Sequence, residues 1–123
     1  ATHLSGFFYV INELGLFYSY KKMQLIQQQA HFWELYQQQD NYYLGFAVDT
    51  GDAMHCWHLQ LTKQQILEYQ SQGIEAIECL AKAFTEQVYQ ANFTQLKAQQ
   101  VDATTEAKMQ HAFKQWHQSA SSR

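Results

Sequence analysis

The sequence predicts an α+β fold in which a small antiparallel sheet packs against three or four helices. Residues 42–61, YYLGFAVDTGDAMHCWHLQL, hold two apolar segments that meet at a turn-forming DTGD, the pattern of a hairpin. Most of the chain after residue 62 instead carries apolar residues at helical spacing. No proline, Gly/Ser linker or repeat divides the 123 residues. The length therefore suits a single domain, 1–123, able to bury about two-thirds of its unfolded surface.

Read in order, the first elements are FFYVI and LFYSY, separated by NELG. The aromatic and β-branched content of these runs predicts strands at 7–11 and 16–20, and hence a second hairpin over 7–20. One continuous helix across 7–39 is the rival reading, because the apolar pattern is nearly unbroken. From Lys21 the composition shifts to good helix formers. Met23, Ile26, Ala30 and Trp33 recur at helical spacing and Leu25, Phe32 and Leu35 widen the arc, so a helix is expected up to Asp40 and Asn41.

In the 42–61 hairpin, Tyr43, Gly45 and Ala47 alternate with Tyr42, Leu44, Phe46 and Val48, which makes a strand covered on both faces. Asp49, Thr50, Gly51 and Asp52 supply the turn. Met54 to Leu61 return as the second strand. Thr62 followed by Gln65 reads as a capping box for a helix of roughly 63–71, which Gly73 breaks. A longer helix follows, with Ile74, Ile77, Leu80, Ala81, Phe84, Val88 and Leu96 along one side. Asp102 or Thr104 can cap a last helix whose Met109, Ala112, Phe113 and Trp116 share a side, ahead of a frayed SASSR tail. The simplest arrangement places the helices on one face of the sheet.

Composition restricts function. Charged residues are 15% of the chain while 20 positions are Gln, so neutral amides rather than charges cover the surface. Lys+Arg 8 against Asp+Glu 11 leaves a net charge of -3 with no basic stripe, which argues against nucleic acid as a partner. Residues 4–20 are interrupted by Asn12 and Glu13 and are too short and too polar for a membrane span. No basic n-region of a signal peptide precedes them, so a cytoplasmic location is expected. A chain starting at Ala1 leaves a processed, exported form open.

Cys56 and Cys79 are expected as free thiols, although one bridge between them is geometrically open. Cys56 and His58 share one face of their strand and His55 and Trp57 the other. Two ligands do not make a zinc site, and the remaining histidines show no i,i+4 pair, so no metal and no cofactor are expected. A nucleophilic Cys56–His58 pair lacks a third group to orient it. The carboxylates Asp49 and Asp52 are explained by the turn; Glu75 with Glu78, and His31 with Glu34, are i,i+3 pairs without further support. No P-loop, Rossmann, HExxH, GxSxG or EF-hand pattern occurs.

With 15% aromatic residues, some of the eight Tyr and three Trp are expected at the exterior, where a ring with a polar handle suits recognition. The expected function is that of a non-catalytic protein-binding module, in one version a small bacterial inhibitor or immunity-type protein acting by steric occlusion. The alternatives are a small-ligand-binding protein or minimal enzyme with an aromatic-lined pocket between the hairpin and the long helix, and a self-assembling subunit such as a homodimer. The candidate contact residues are Tyr42, Tyr43, Asp49, Asp52, His55, Trp57, His58, Trp116 and His117.

Overall fold

A computed structural model describes residues 7–11 and 17–121, with side chains over 21–120; the NELG turn lies outside the described residues. The fold is α+β. Strand β1 (Phe7–Ile11) pairs antiparallel with β2 (Phe17–Lys21), Phe7 opposite Lys21 and Ile11 opposite Phe17. This is the second hairpin, and the rival helix across 7–39 does not form.

The helix expected over 21–39 is absent as well. In its place stand β3 (Gln24–Gln29) and β4 (Trp33–Gln38), joined by a turn in which Phe32 N donates to Gln29 O at 3.0 Å and His31 takes a left-handed φ of 66°. The chain continues through a left-handed Gln39 into β5 (Asn41–Asp49) and then β6 (Met54–Gln60). The four form an antiparallel meander in the order β3-β4-β5-β6. The helical spacing of Met23, Ile26, Ala30 and Trp33 misleads: Met23 and Trp33 are buried in different layers of the core, and Ala30 is exposed in the turn between β3 and β4. Trp33 and Leu35 are buried on one face of the sheet and Tyr36 on the other. Helix propensity is worth only tenths of a kcal/mol per residue, whereas burying each such side chain contributes about 1.5–3 kcal/mol.

The β5–β6 hairpin follows the sequence closely. Asp49 Oδ1 accepts from Gly51 N at 2.8 Å, Thr50 N donates to Ala53 O at 3.1 Å, and Gly51 occupies φ 89°, where a Cβ would be strained. Helix α1 (Lys63–Gln72) starts with the expected capping box: Gln65 N donates to Thr62 Oγ1 at 3.2 Å and Thr62 N to Gln65 Oε1 at 2.9 Å. Gly73 at φ 74° turns the chain into α2 (Ile74–Tyr89). This helix stops before Leu96, which belongs to the separate short α3 (Thr94–Gln99). The last helix, α4 (Ala103–Ser121), is capped by Asp102, whose Oδ1 accepts from Thr105 N at 2.8 Å, and it runs into the tail expected to fray.

Helices cover both faces of the sheet, not one. On the first face Trp33, Leu35, Leu44, Phe46, Val48 and Leu59 pack with Ile77, Ala81, Phe84 and Val88 of α2 and Leu96 of α3. Phe46 stacks on Phe84 with ring centroids 5.8 Å apart. On the second face Tyr36 and Tyr43 pack with Met23 and with Met109 and Ala112 of α4. The chain changes face at Val101, whose N–H bonds to His58 O at 3.0 Å beside a single antiparallel bridge between Leu59 and Gln100. Strand alternation forces this arrangement, because Tyr36 and Tyr43 would otherwise stand on an uncovered face. Among the described residues, no helix is long and apolar enough to cross a membrane.

Candidate functional site

Two features stand out, and α4 takes part in both. The first is a polar row across the second face of the sheet. Glu34 of β4 and His58 of β6 are both register partners of Gly45 in β5. A Cβ placed on Gly45 would lie 3.4 Å from His58 Cδ2, 3.6 Å from Glu34 Oε1 and 3.7 Å from Tyr36 Cε2. The glycine therefore leaves a methyl-sized gap around which three polar side chains gather.

From the helix side, Glu106 brings Oε1 to 2.9 Å from His58 Nδ1. The imidazole is 16% exposed and the carboxylate 44%. The Nδ1 atom is shielded from solvent and makes no hydrogen bond in this geometry. On the far side of the gap, the Tyr36 hydroxyl lies 3.5 Å from Glu34 Oε1. Burial holds the Glu34 carboxyl above its ordinary range, partly offset by the Tyr36 hydroxyl. Tyr36 is itself pushed up by burial and by the charge of Glu34. Burial also raises Tyr43, with the charge of Asp102 adding to it. Asp102 is held low by the Thr105 backbone N–H that it caps.

The second feature lies in the second half of α4. Phe113 and Trp116 are 36% and 39% exposed, with ring centroids 6.2 Å apart, and His117 stacks on Phe113 at 6.3 Å and 7°. Next to them a groove of about 480 Å³ runs between Lys22, Met23, Gln24 and Leu25 and the helix residues Ala112, Gln115, Trp116 and Ser119. Lys22 Nζ donates to Gln115 Oε1 at 3.0 Å across it. Helical periodicity puts Met109, Ala112, Phe113 and Trp116 on one side of α4, but only Met109 and Ala112 are buried, and the rings of Phe113 and Trp116 stay partly exposed.

The residues singled out from the sequence are dispersed. Trp116 and His117 lie in the ring cluster. His58 lies in the polar row. Tyr43 is 7% exposed beneath α4 and is a core residue, not a projecting anchor. Tyr42 packs on the opposite face, edge-on to Tyr69 at 5.7 Å. Trp57 is half-buried and stacks on Phe93 at 5.7 Å. Asp49, Asp52 and His55 are exposed at the β5–β6 turn and the start of β6, with Asp49 engaged in its turn. Among the described residues, Trp33, Tyr36, Tyr43, Phe46 and Phe84 are buried, and of the proposed ring anchors only Trp116 is exposed.

Cys56 and Cys79 are free and exposed, on β6 and α2. Among the described residues, no three His, Cys, Asp or Glu side chains converge in a way that could hold a metal ion. Tyr36 and Glu106 carry no expectation from the sequence; Gly45 and Phe113 enter it only as structural residues, and Glu34 only as an i,i+3 partner of His31. Two signals mark part of that set: a lone carboxylate inside the apolar run FWELY, and an isolated glycine inside a strand, which indicates close side-chain approach. No known protein family, curated protein or solved structure matches the chain.

Proposed function

We propose that this chain is a non-catalytic protein-binding module whose contact surface is the exposed ring cluster in the second half of α4. The observation that carries the reading is the exposed stack of Phe113, Trp116 and His117. Adjacent aromatic rings at a surface match the chemistry of interface hot spots, since they bury large apolar area at little conformational cost. Neutral Gln115 and the groove beside it supply the polar, hydrogen-bonding rim such an anchor needs. Action is by steric occlusion, as in a small inhibitor or immunity-type protein. A protein rather than nucleic acid is the fitting partner, because the chain bears a net charge of -3.

Dense packing between the hairpin and α2 favours a contact surface over a pocket there. The layer between the β5–β6 hairpin and α2 is filled by Phe46, Phe84, Ile77 and Ala81, the last three fully buried. A second copy of the chain is the first partner to test, by sedimentation over a concentration series. Affinity capture from the native cell then compares wild-type bait with Trp116→Ala. A protein retained by the first and lost by the second, with circular dichroism unchanged, supports the reading. Identical captures, together with a concentration-independent monomer, sink it.

A further inference from the structure

We propose that the outer edge of β6 is a self-pairing surface, on which a second copy of this chain adds its own β6 antiparallel through Met54 to Cys56. The strand ends the order β3-β4-β5-β6, so its far side is a sheet edge. In an antiparallel ladder alternate residues turn both N–H and C=O to the same side. Leu61 N donates to Tyr42 O at 2.8 Å, which sets positions 55, 57, 59 and 61 toward β5 and positions 54, 56, 58 and 60 outward. Two of those outward residues are engaged. His58 O accepts from Val101 N and Gln60 O from the Gln99 side chain, each at 3.0 Å, as the chain passes Leu59 in a single antiparallel bridge. Among the described residues, no backbone group outside the hairpin pairs with Met54 or Cys56. Their outward donors and acceptors are a template for another strand.

Three observations select a second copy as the occupant. The free stretch is short, bounded by the turn before Met54 and by the Gln99–Val101 crossing, so a long foreign strand would run into the crossing. An identical edge is equally short. With His55 opposite His55 of the second copy, Met54 and Cys56 pair with each other at both ends, four backbone bonds form, and each crossing meets the other copy's turn. The edge is also uncharged: no Asp, Glu, Lys or Arg lies between Ala53 and Leu61, so the like-charge contact that keeps many edges from their own image is missing. Finally, the side chains are accessible. Met54 is 60% exposed, His55 and Cys56 are exposed, and with Trp57 and Gln100 they line a groove of about 280 Å³. A contact this short falls below the standard interface size, which makes the dimer weak and reversible. It rests on the β6 edge and not on the ring cluster of α4.

Sedimentation velocity of the full chain in reductant at about pH 8, where an ordinary imidazole is neutral, tests the pairing. Across roughly 5–500 µM the wild type is expected to pass reversibly from monomer to dimer. The double variant Met54→Lys/Cys56→Lys sets like charges opposite each other at two exposed positions, and is expected to raise the dissociation constant at least about tenfold. Trp116→Ala is expected to leave it unchanged. Trapping reads the register, and does not depend on the lysine variant folding. Position 55 faces its own image as a non-hydrogen-bonded pair with Cα atoms about 4.5 Å apart, inside the range a disulfide spans. Under mild oxidation, His55→Cys/Cys56→Ser is therefore expected to form a disulfide dimer at least about tenfold faster than Cys56→Ser alone, whose exposed Cys79 is the collision reference. A monomer at every concentration, a dimer untouched by the lysine pair, or a position-55 thiol no faster than Cys79 overturns the proposal.

Discussion

Glu34 and His58 face each other across Gly45, each a register partner of the same glycine on the strand between them. The gap closes to ordinary van der Waals distance if a single methyl is added, since the nearest atom to a Cβ there is 3.4 Å away. Gly45→Ala is therefore expected to be neutral or stabilising by about 0.4–1 kcal/mol, because the unfolded chain loses freedom and the folded state gains no clash. A larger residue such as Val displaces the polar side chains and destabilises. Urea unfolding of the two variants checks the contrast.

Glu34 makes stability depend on pH with a definite sign. Burial raises its carboxyl above the ordinary value, so the folded protein binds that proton more tightly than the unfolded chain does. The associated stability is fully present below the ordinary carboxylate range and is lost as pH rises through the raised value. Glu34→Gln is expected to shift the urea midpoint upward at pH 7, with the advantage vanishing below about pH 4. A variant less stable than wild type at pH 7 would show that the Tyr36 contact outweighs the burial cost.

At the start of α1, both halves of the capping box run through Thr62. Thr62→Ala leaves Gln65 N without its side-chain acceptor, while the backbone N–H of position 62 can still donate to Gln65 Oε1. The expected loss is about 1 kcal/mol, or about 4 °C in Tm for a chain of this length. Differential scanning calorimetry measures it directly.

Two tryptophans separate folding from recognition. Trp57 stacks on Phe93, the residue preceding α3, and is half-buried, so Trp57→Ala is expected to cost about 2 kcal/mol. Trp116 has an exposed ring on α4, and Trp116→Ala is expected to cost less than about 1 kcal/mol. Chemical denaturation gives both values, and equal losses would assign Trp116 to the core.

Sequence alone determined the elements whose signals are local. The β5–β6 hairpin is legible because its turn residues and its alternation lie within twenty positions of one another, and α1 because its cap is four residues long. The inward side of α2 is visible in the spacing of Ile77, Ala81, Phe84 and Val88. Residues 24–38 were decided by tertiary structure: a Gln-rich run with Leu and Ile fits a helix by propensity. Pairing with β5 and burial of Trp33, Leu35 and Tyr36 on two faces outweigh that small preference. The polar row depends on tertiary structure even more fully. Glu34, Gly45, His58 and Glu106 come from four separate elements, and only strand pairing and the crossing of α4 to the second face bring them together. Contacts between distant residues have no local pattern to announce them, because the free energy that selects them comes from the burial of the whole.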